Sequence, residues 1–258
     1  MKKKMLVAAM ALCAMMVLSS FTVMAQPLDS NETLRVTGST TIPEGWNDSA
    51  EARLLMERFE RERGRPRERD ERVRALSAFS TVRVNVHVVV DQLWVERQQR
   101  LGNSYRFEAI DTVFDAGDIY WRRYSIDIRG NTLSRWNSHN TTTDANFLLL
   151  DAIGRHGLGG NGNRMMAAFT ARPVLVYGGI NVDGVARPNS WGTLITDRGW
   201  RTNNVVQRHE FGHNYGLPDH RDNTTRCFMN INLMHRDNNF DNICNNCNNT
   251  VTRNRTRF

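Results

Sequence analysis

His209-Glu210-Phe211-Gly212-His213 is the stretch of this chain best equipped for chemistry. An α-helix repeats every 3.6 residues, so two histidines four apart stand one turn over each other on a single face. That spacing lets two imidazoles grip one zinc ion while the intervening Glu210 points at the metal's bound water. Gly216 can then turn the chain sharply, because it tolerates backbone angles closed to other residues. Pro218 cannot continue the helix, so Asp219 and His220 swing back towards the metal, and either can offer a third ligand. In a chain of this composition the five-residue pattern arises by chance about 1% of the time. A zinc centre therefore outranks an ordinary amphipathic helix carrying two surface histidines.

The 258 residues begin with Lys2, Lys3 and Lys4, an apolar run from Met5 to Leu18, and the small-residue exit Val23-Met24-Ala25. This is the pattern of a secretory signal over residues 1–25, and its apolar run is at the short end for a membrane span. It predicts a secreted or periplasmic protein with no stable membrane anchor. Removing the segment removes every lysine and leaves 31 arginines against 27 acidic residues, a net charge of about +4. So small and dispersed an excess argues against a dedicated nucleic-acid binder. Residues 26–50 read as a polar leader. Residues 51–74 interleave Arg and Glu, as a solvated helix laced by pairs three and four apart does, with a break at Gly64-Arg65-Pro66. The whole of 26–80 is an appendage or a pro-segment, and no cysteine lies there to act as a latch.

The elements that must position the histidines are expected from residue 81 to residue 258. Val82 to Val90 is rich in β-branched residues and reads as a strand, with His87 structural within it. Tyr105 to Arg122 has the apolar period of an amphipathic helix. Ser125 to Arg129 alternates like a half-buried strand and is expected to end at Gly130-Asn131. Asp144 to Ile153 is either a short helix or an apolar loop, and Gly157 to Asn163 is a Gly/Asn loop. Pro173 to Tyr177 and Trp191 to Thr196 read as strands, with Val185-Ala186-Arg187 as a short edge strand. The histidine helix is expected to start at Asn203 or Asn204 as N-cap. Strands with interspersed helices predict an α/β layered domain. The Asn- and Arg-rich tail to Phe258 has little to bury and is expected to be loose.

H-E-x-x-H-x-x-G-x-x-[HD] followed by a methionine, here His209 to Asp219 and then Met229, resembles the metzincin clan of zinc endopeptidases. Gly216-Leu217-Pro218-Asp219-His220, with a cysteine just before a methionine, looks most like the snapalysin-type secreted bacterial proteases. Cys227-Phe228-Met229 is also similar to the Cys-x-Met of reprolysins and archaemetzincins. The resemblance implies an α/β (α+β) zincin domain with a mixed twisted sheet, a long backing helix and a zinc helix. It implies Zn2+ held by His209, His213 and Asp219, with Glu210 as general base and a protein or peptide as substrate. Most metzincins have His where Asp219 stands, and His220 is one residue late for that role. Met229 is the expected methionine turn, with Met234 the other candidate.

Export favours a disulfide from Cys227 to Cys244 or Cys247. Archaemetzincins instead use four cysteines there for a second zinc, and in this chain His220 or His235 would have to complete the set. An extended substrate is expected to pair with the edge strand near Val185 to Arg187. The rival reading is a non-catalytic binding module of the same fold, against which an intact Glu210 speaks.

Overall fold

Strand β1 (Val82–Asp91) sets the frame. Side chains alternate across a strand, so Val84, Val86, Val88 and Val90 enter one apolar core while Val89 enters a second on the other face. The computed structural model describes residues 80–258 except 139–141, 157–164, 177–178, 188–190 and 234–240, together with Leu54, Glu57, Arg58 and Arg61. The expected signal, nearly all of the leader, the Gly157–Asn163 loop, Met234 and His235 lie outside the described residues.

Helix α1 (Gln92–Arg100) follows directly, because the Asp91 carboxylate accepts the Trp94 N–H at 2.7 Å and caps it. The same carboxylate accepts hydroxyls from Thr170 and Ser138, tying the ends of neighbouring strands together. Helix α2 (Tyr105–Tyr124), capped by Ser104, is the long backing helix, and strand β2 (Ile126–Trp136) returns beside β1. Then come α3 (Ala145–His156), β3 (Met165–Thr170), β4 (Val174–Val176), β5 (Ile180–Val182), β6 (Gly184–Ala186) and β7 (Gly192–Thr196). Helix α4 (Trp200–Asn214) carries the histidines and α5 (Asn245–Arg253) ends the chain.

The main sheet runs β2-β1-β3-β7-β6. Its first four strands are parallel and β6 is antiparallel to β7, which puts a reversed short strand on the edge. β4 and β5 form a separate antiparallel pair. Side chains of α1, α2, α4 and α5 fill the larger core with Val84, Ile128 and Phe169. Leu148, Leu149 and Ala152 of α3 cover the opposite face with Met166, Ala168 and Leu194. This is the α/β layered architecture expected. Among the described residues no helix is long and apolar enough to cross a membrane.

Several local expectations are corrected. β2 does not stop at Gly130-Asn131. It continues to Trp136 through a bulge, where Val86 pairs with Gly130 and His87 with Thr132, so Asn131 is the extra residue. The apolar segment 145–156 is a helix. Helix α4 starts at Trp200 rather than beyond Asn203, with Gly199 as N-cap at φ 92°. Asn203 still marks that helix start. Its side chain accepts the Arg198 N–H at 2.9 Å and donates to Asp197, tying the first turn to the entering loop. β3 and α1 were not anticipated at all.

The tail is not loose. Its few apolar residues fall where they can be buried: Cys247 and Val251 lie four apart on one face of α5, and the Phe258 ring packs edge-on against Tyr215. Arg255, itself buried, donates to the carbonyls of Tyr124 and Ser80, so the end of the domain is bound to its beginning. Phe258→Ala is accordingly expected to cost about 3 kcal/mol, the low end for truncating a buried phenylalanine. Urea unfolding measures it, and an unchanged midpoint would mean the tail contributes nothing.

Candidate metal centre

Helix α4 buries Val205, Val206 and Phe211 in the larger core, which fixes its rotation about its own axis. His209 lies one turn beyond Val205, with His213 a turn further, and Glu210 lies one turn beyond Val206. The helix ends in a Schellman motif: Gly216 N–H reaches His213 O, Leu217 N–H reaches Gly212 O, and Gly216 takes φ 85°. Gly216 is thus the left-handed residue that lets the chain double back. Buried Leu217 anchors the returning strand, and Asp219 arrives opposite the two histidines.

His209, His213 and Asp219 form a group whose ligand atoms all lie within 4.8 Å of one another. His209 Nε2 and His213 Nε2 face each other at 3.1 Å. Asp219 Oδ1 is 3.1 Å from the first and 3.2 Å from the second, at angles that complete no regular hydrogen bond. The other ring nitrogens are committed to backbone carbonyls: His209 Nδ1 to Phe228 O at 3.1 Å and His213 Nδ1 to Leu217 O at 2.8 Å. A carbonyl only accepts, so each Nδ1 carries a proton and Nε2 is the ring atom left to ligate a metal. Two Nε2 atoms and a carboxylate oxygen then face one another as a convergent donor set. The donor set suits zinc, which takes imidazole nitrogen and carboxylate oxygen in tetrahedral sites. Three protein donors leave a fourth position open, and the side-chain exposure rises from 5% at His209 to 29% at Asp219, so the group opens to solvent on that side.

Electrostatics in the metal-free chain carry the same message. Contact with His209, then with His213, holds the Asp219 carboxyl well below the usual carboxylate range. Burial works against a charged His213, but the Asp219 contact and the Glu210 charge outweigh it and raise its pKa. Glu210 is fully enclosed, and desolvation raises its carboxyl despite the neighbouring histidines. Its Oε2 is buried with no hydrogen-bond partner. Met229 lies against α4 at Gly212, between the two histidines, so closely that a methyl group at Gly212 would overlap the sulfur.

A second group lies next door. His220, Cys227, Cys244 and Cys247 also bring their ligand atoms within 4.8 Å of one another. His220 Nε2 is 3.1 Å from Cys247 Sγ and 3.3 Å from Cys244 Sγ. The expected disulfide is therefore not present: no disulfide joins any two of Cys227, Cys244 and Cys247. A hydrogen bond from Cys247 pulls the Cys227 thiol down to about 5 and pushes that of Cys247 up, as two thiols sharing one proton do. Three sulfurs and one imidazole make a Cys3His set, a closed four-donor arrangement suited to structural zinc. Asp219 and His220 belong to different groups because the backbone at His220 is extended and bridges to Asn230, and successive side chains of extended backbone point opposite ways.

The segment between the groups is held from both sides. His220 N–H donates to Met229 O and Ile231 N–H to His220 O, while Phe228 N–H reaches Asn242 O. Buried Arg208 of α4 donates to Asp115 O on α2 and pairs with Asp241 at 2.8 Å, just ahead of Cys244. Sequence reasoning did not find the carbonyls of Phe228 and Leu217 that orient the histidines. Backbone groups carry no residue-type signal.

A parallel sheet with a reversed edge strand, a helix presenting two histidines and a buried acid, and a carboxylate donor on the returning chain together define a metal-dependent hydrolase. Residues 80–258 match Reprolysin_5, Metallo-peptidase family M12, and the chain belongs to that family. It is a zinc metallopeptidase. Among solved structures it is similar to an archaemetzincin from Methanopyrus kandleri, at 16% identity and a TM-score of 0.46, covering 68% of this chain and 97% of that one. A zinc-dependent peptidase from Methanocorpusculum labreanum (strain Z) matches at 12% identity and 0.42, covering 64% and 99%. A chaperone-substrate complex matches at 13% and 0.48, covering 69% and 34%. No curated protein matches the sequence.

The two groups can be separated by metal analysis after dialysis. Asp219→Ala is expected to release metal from the histidine group while cobalt in the thiol group keeps its sulfur-to-metal charge-transfer absorbance. His220→Ala should weaken that absorbance and leave the histidine group loaded. The reverse pattern would exchange the two residues' roles.

Proposed function

We propose that this chain is a secreted zinc endopeptidase with His209, His213 and Asp219 as metal ligands and Glu210 as general base. The observation that carries the reading is the convergence of three donors beside a buried, unpartnered carboxylate. Bound zinc would supply a water of lowered pKa and polarise the scissile carbonyl. Glu210 would take a proton from the attacking water and pass it to the departing nitrogen. Burial suits it to both tasks, because a carboxylate with raised pKa holds a proton better near neutrality. The outer edge of β6 pairs with no other strand among the described residues. Its backbone offers an extended peptide main-chain hydrogen bonds, which bring any sequence into register and leave selection to side-chain contacts.

The Cys3His group is a structural zinc site in this reading, holding the turn at Met229 and helix α5 around the first centre. The lysine-led apolar N-terminus supports export over residues 1–25. The leader 26–80 is a removable segment. Arg58 within it pairs with buried Asp111 of α2 at 2.6 Å, so the segment has a hold on the backing helix. A chain beginning at Ser80 should fold and cleave unfolded casein. An insoluble product, with native enzyme still beginning at Gln26, would place the leader inside the catalytic domain.

Glu210→Ala is expected to lower kcat by at least about 100-fold while zinc stays bound, since Glu210 is no ligand. Near wild-type cleavage of casein would sink the mechanism. The base acts only when ionised and its pKa is raised, so activity should disappear as pH falls through that raised value. The acid limb of the pH–rate profile must therefore lie above the range of an ordinary glutamate.

A further inference from the structure

Where edge strand β6 crosses helix α4, the backbone of Gly184 lies against the side chains of Val206 and Glu210. A Cβ at Gly184 would sit 2.7 Å from Val206 Cγ1, 2.8 Å from Glu210 Oε1 and 3.0 Å from Glu210 Cγ. Comfortable carbon contacts are about 3.5 to 4.0 Å, so none of these is tolerable. Val206 and Glu210 are one helical turn apart and face the strand together. We propose that Gly184 is a positioning residue for the reaction, holding the Glu210 carboxylate at its post by having no side chain. The proposal rests on Glu210 being the base.

Of the groups that meet at Gly184, only the Glu210 carboxylate is free to yield. Gly184 is not in the left-handed region, so alanine is conformationally allowed there and only space excludes it. The strand is fixed, because Gly184 pairs with Ile195 and the adjacent Asp183 carbonyl accepts the Thr196 N–H at 2.8 Å. Val206 is 1% exposed and packed into the larger core. The Glu210 side chain alone ends in freely rotating bonds, and its Oε2 is held by no hydrogen bond. The overlap with Glu210 is therefore relieved most easily by turning the carboxylate away. That is the one movement catalysis does not tolerate. The glycine also brings strand and helix close enough for the base to lie directly beneath the edge on which the substrate is laid.

Gly184→Ala is expected to lower kcat about 100-fold, the effect of displacing a reacting group by about 1 Å, with KM and zinc content unchanged. Gly184→Ala/Val206→Ala removes the overlap with Val206 but leaves the one with Glu210, so kcat should stay down in the double variant, while Val206→Ala alone keeps it. A glycine needed only for packing against Val206 would instead be rescued by the double variant. Wild-type kcat in Gly184→Ala, a loss confined to KM, or full recovery of kcat in the double variant would overturn the proposal. Should Gly184→Ala not be recovered folded, the double variant carries the test alone by the same criterion. Glu210→Ala run in parallel separates the readings: activity there sinks the base assignment, whereas its loss beside an active Gly184→Ala sinks only this inference.

Discussion

Two imidazole nitrogens and a carboxylate oxygen lie about 3 Å apart in this protein, an arrangement that a cation held among them would stabilise. Much of the remaining structure serves to hold it. The Phe228 and Leu217 carbonyls orient the rings. The Schellman turn at Gly216 returns Asp219 to the helix it has just left, and Met229 fills the space against Gly212. Each of these partners is backbone or close packing. Their positions in turn rest on the larger core, into which α2, α4 and α5 all pack.

The second donor group explains why the C-terminal third is more than a tail. Its donors come from the return loop, the turn carrying Met229 and helix α5, three segments that also bury Leu217, Phe228, Met229 and Val251 in the larger core. A closed four-donor zinc site would add folding energy to that burial. It would do so one residue away from Asp219, a donor of the first group. Arg208, reaching from the histidine helix to Asp115 and Asp241, binds the same segments by charge. The histidine helix is therefore linked to the cysteine group through Arg208 and the Phe228 carbonyl as well as through the chain itself.

Edge strand β6 is where the sheet meets the histidine helix. Most of the sheet is parallel, and among the described residues β6 is its one reversed strand. It passes so close to α4 that Glu210 is enclosed beneath it. Enclosure raises the carboxyl's pKa, and closeness leaves no room for a side chain at 184. A single geometric fact thus sets both the acidity of the Glu210 carboxyl and its distance from the edge of the sheet.

Legibility in the sequence followed the range of the interaction. The histidine spacing, the strand at Val82, the long helix from Tyr105 and the α/β layering were readable because each depends on neighbours within a turn or a strand. Gly130-Asn131 read as a turn and proved to be a bulge, since pairing with β1 outweighs local turn preference. Met165–Thr170 carries no alternation and no flanking punctuation, yet it forms the central strand β3. The tail looked too polar to order, but the few apolar residues in it are spaced for one face, and only the assembled core shows what receives them. The cysteines illustrate the limit most clearly. The predicted export favoured a disulfide, whereas the fold turns His220 towards the three sulfurs and Asp219 towards the two histidines. Sequence determined which donor atoms this protein possesses. Tertiary structure decided which of them meet, because adjacent residues on extended backbone face opposite ways and only the surrounding packing says what lies on each side.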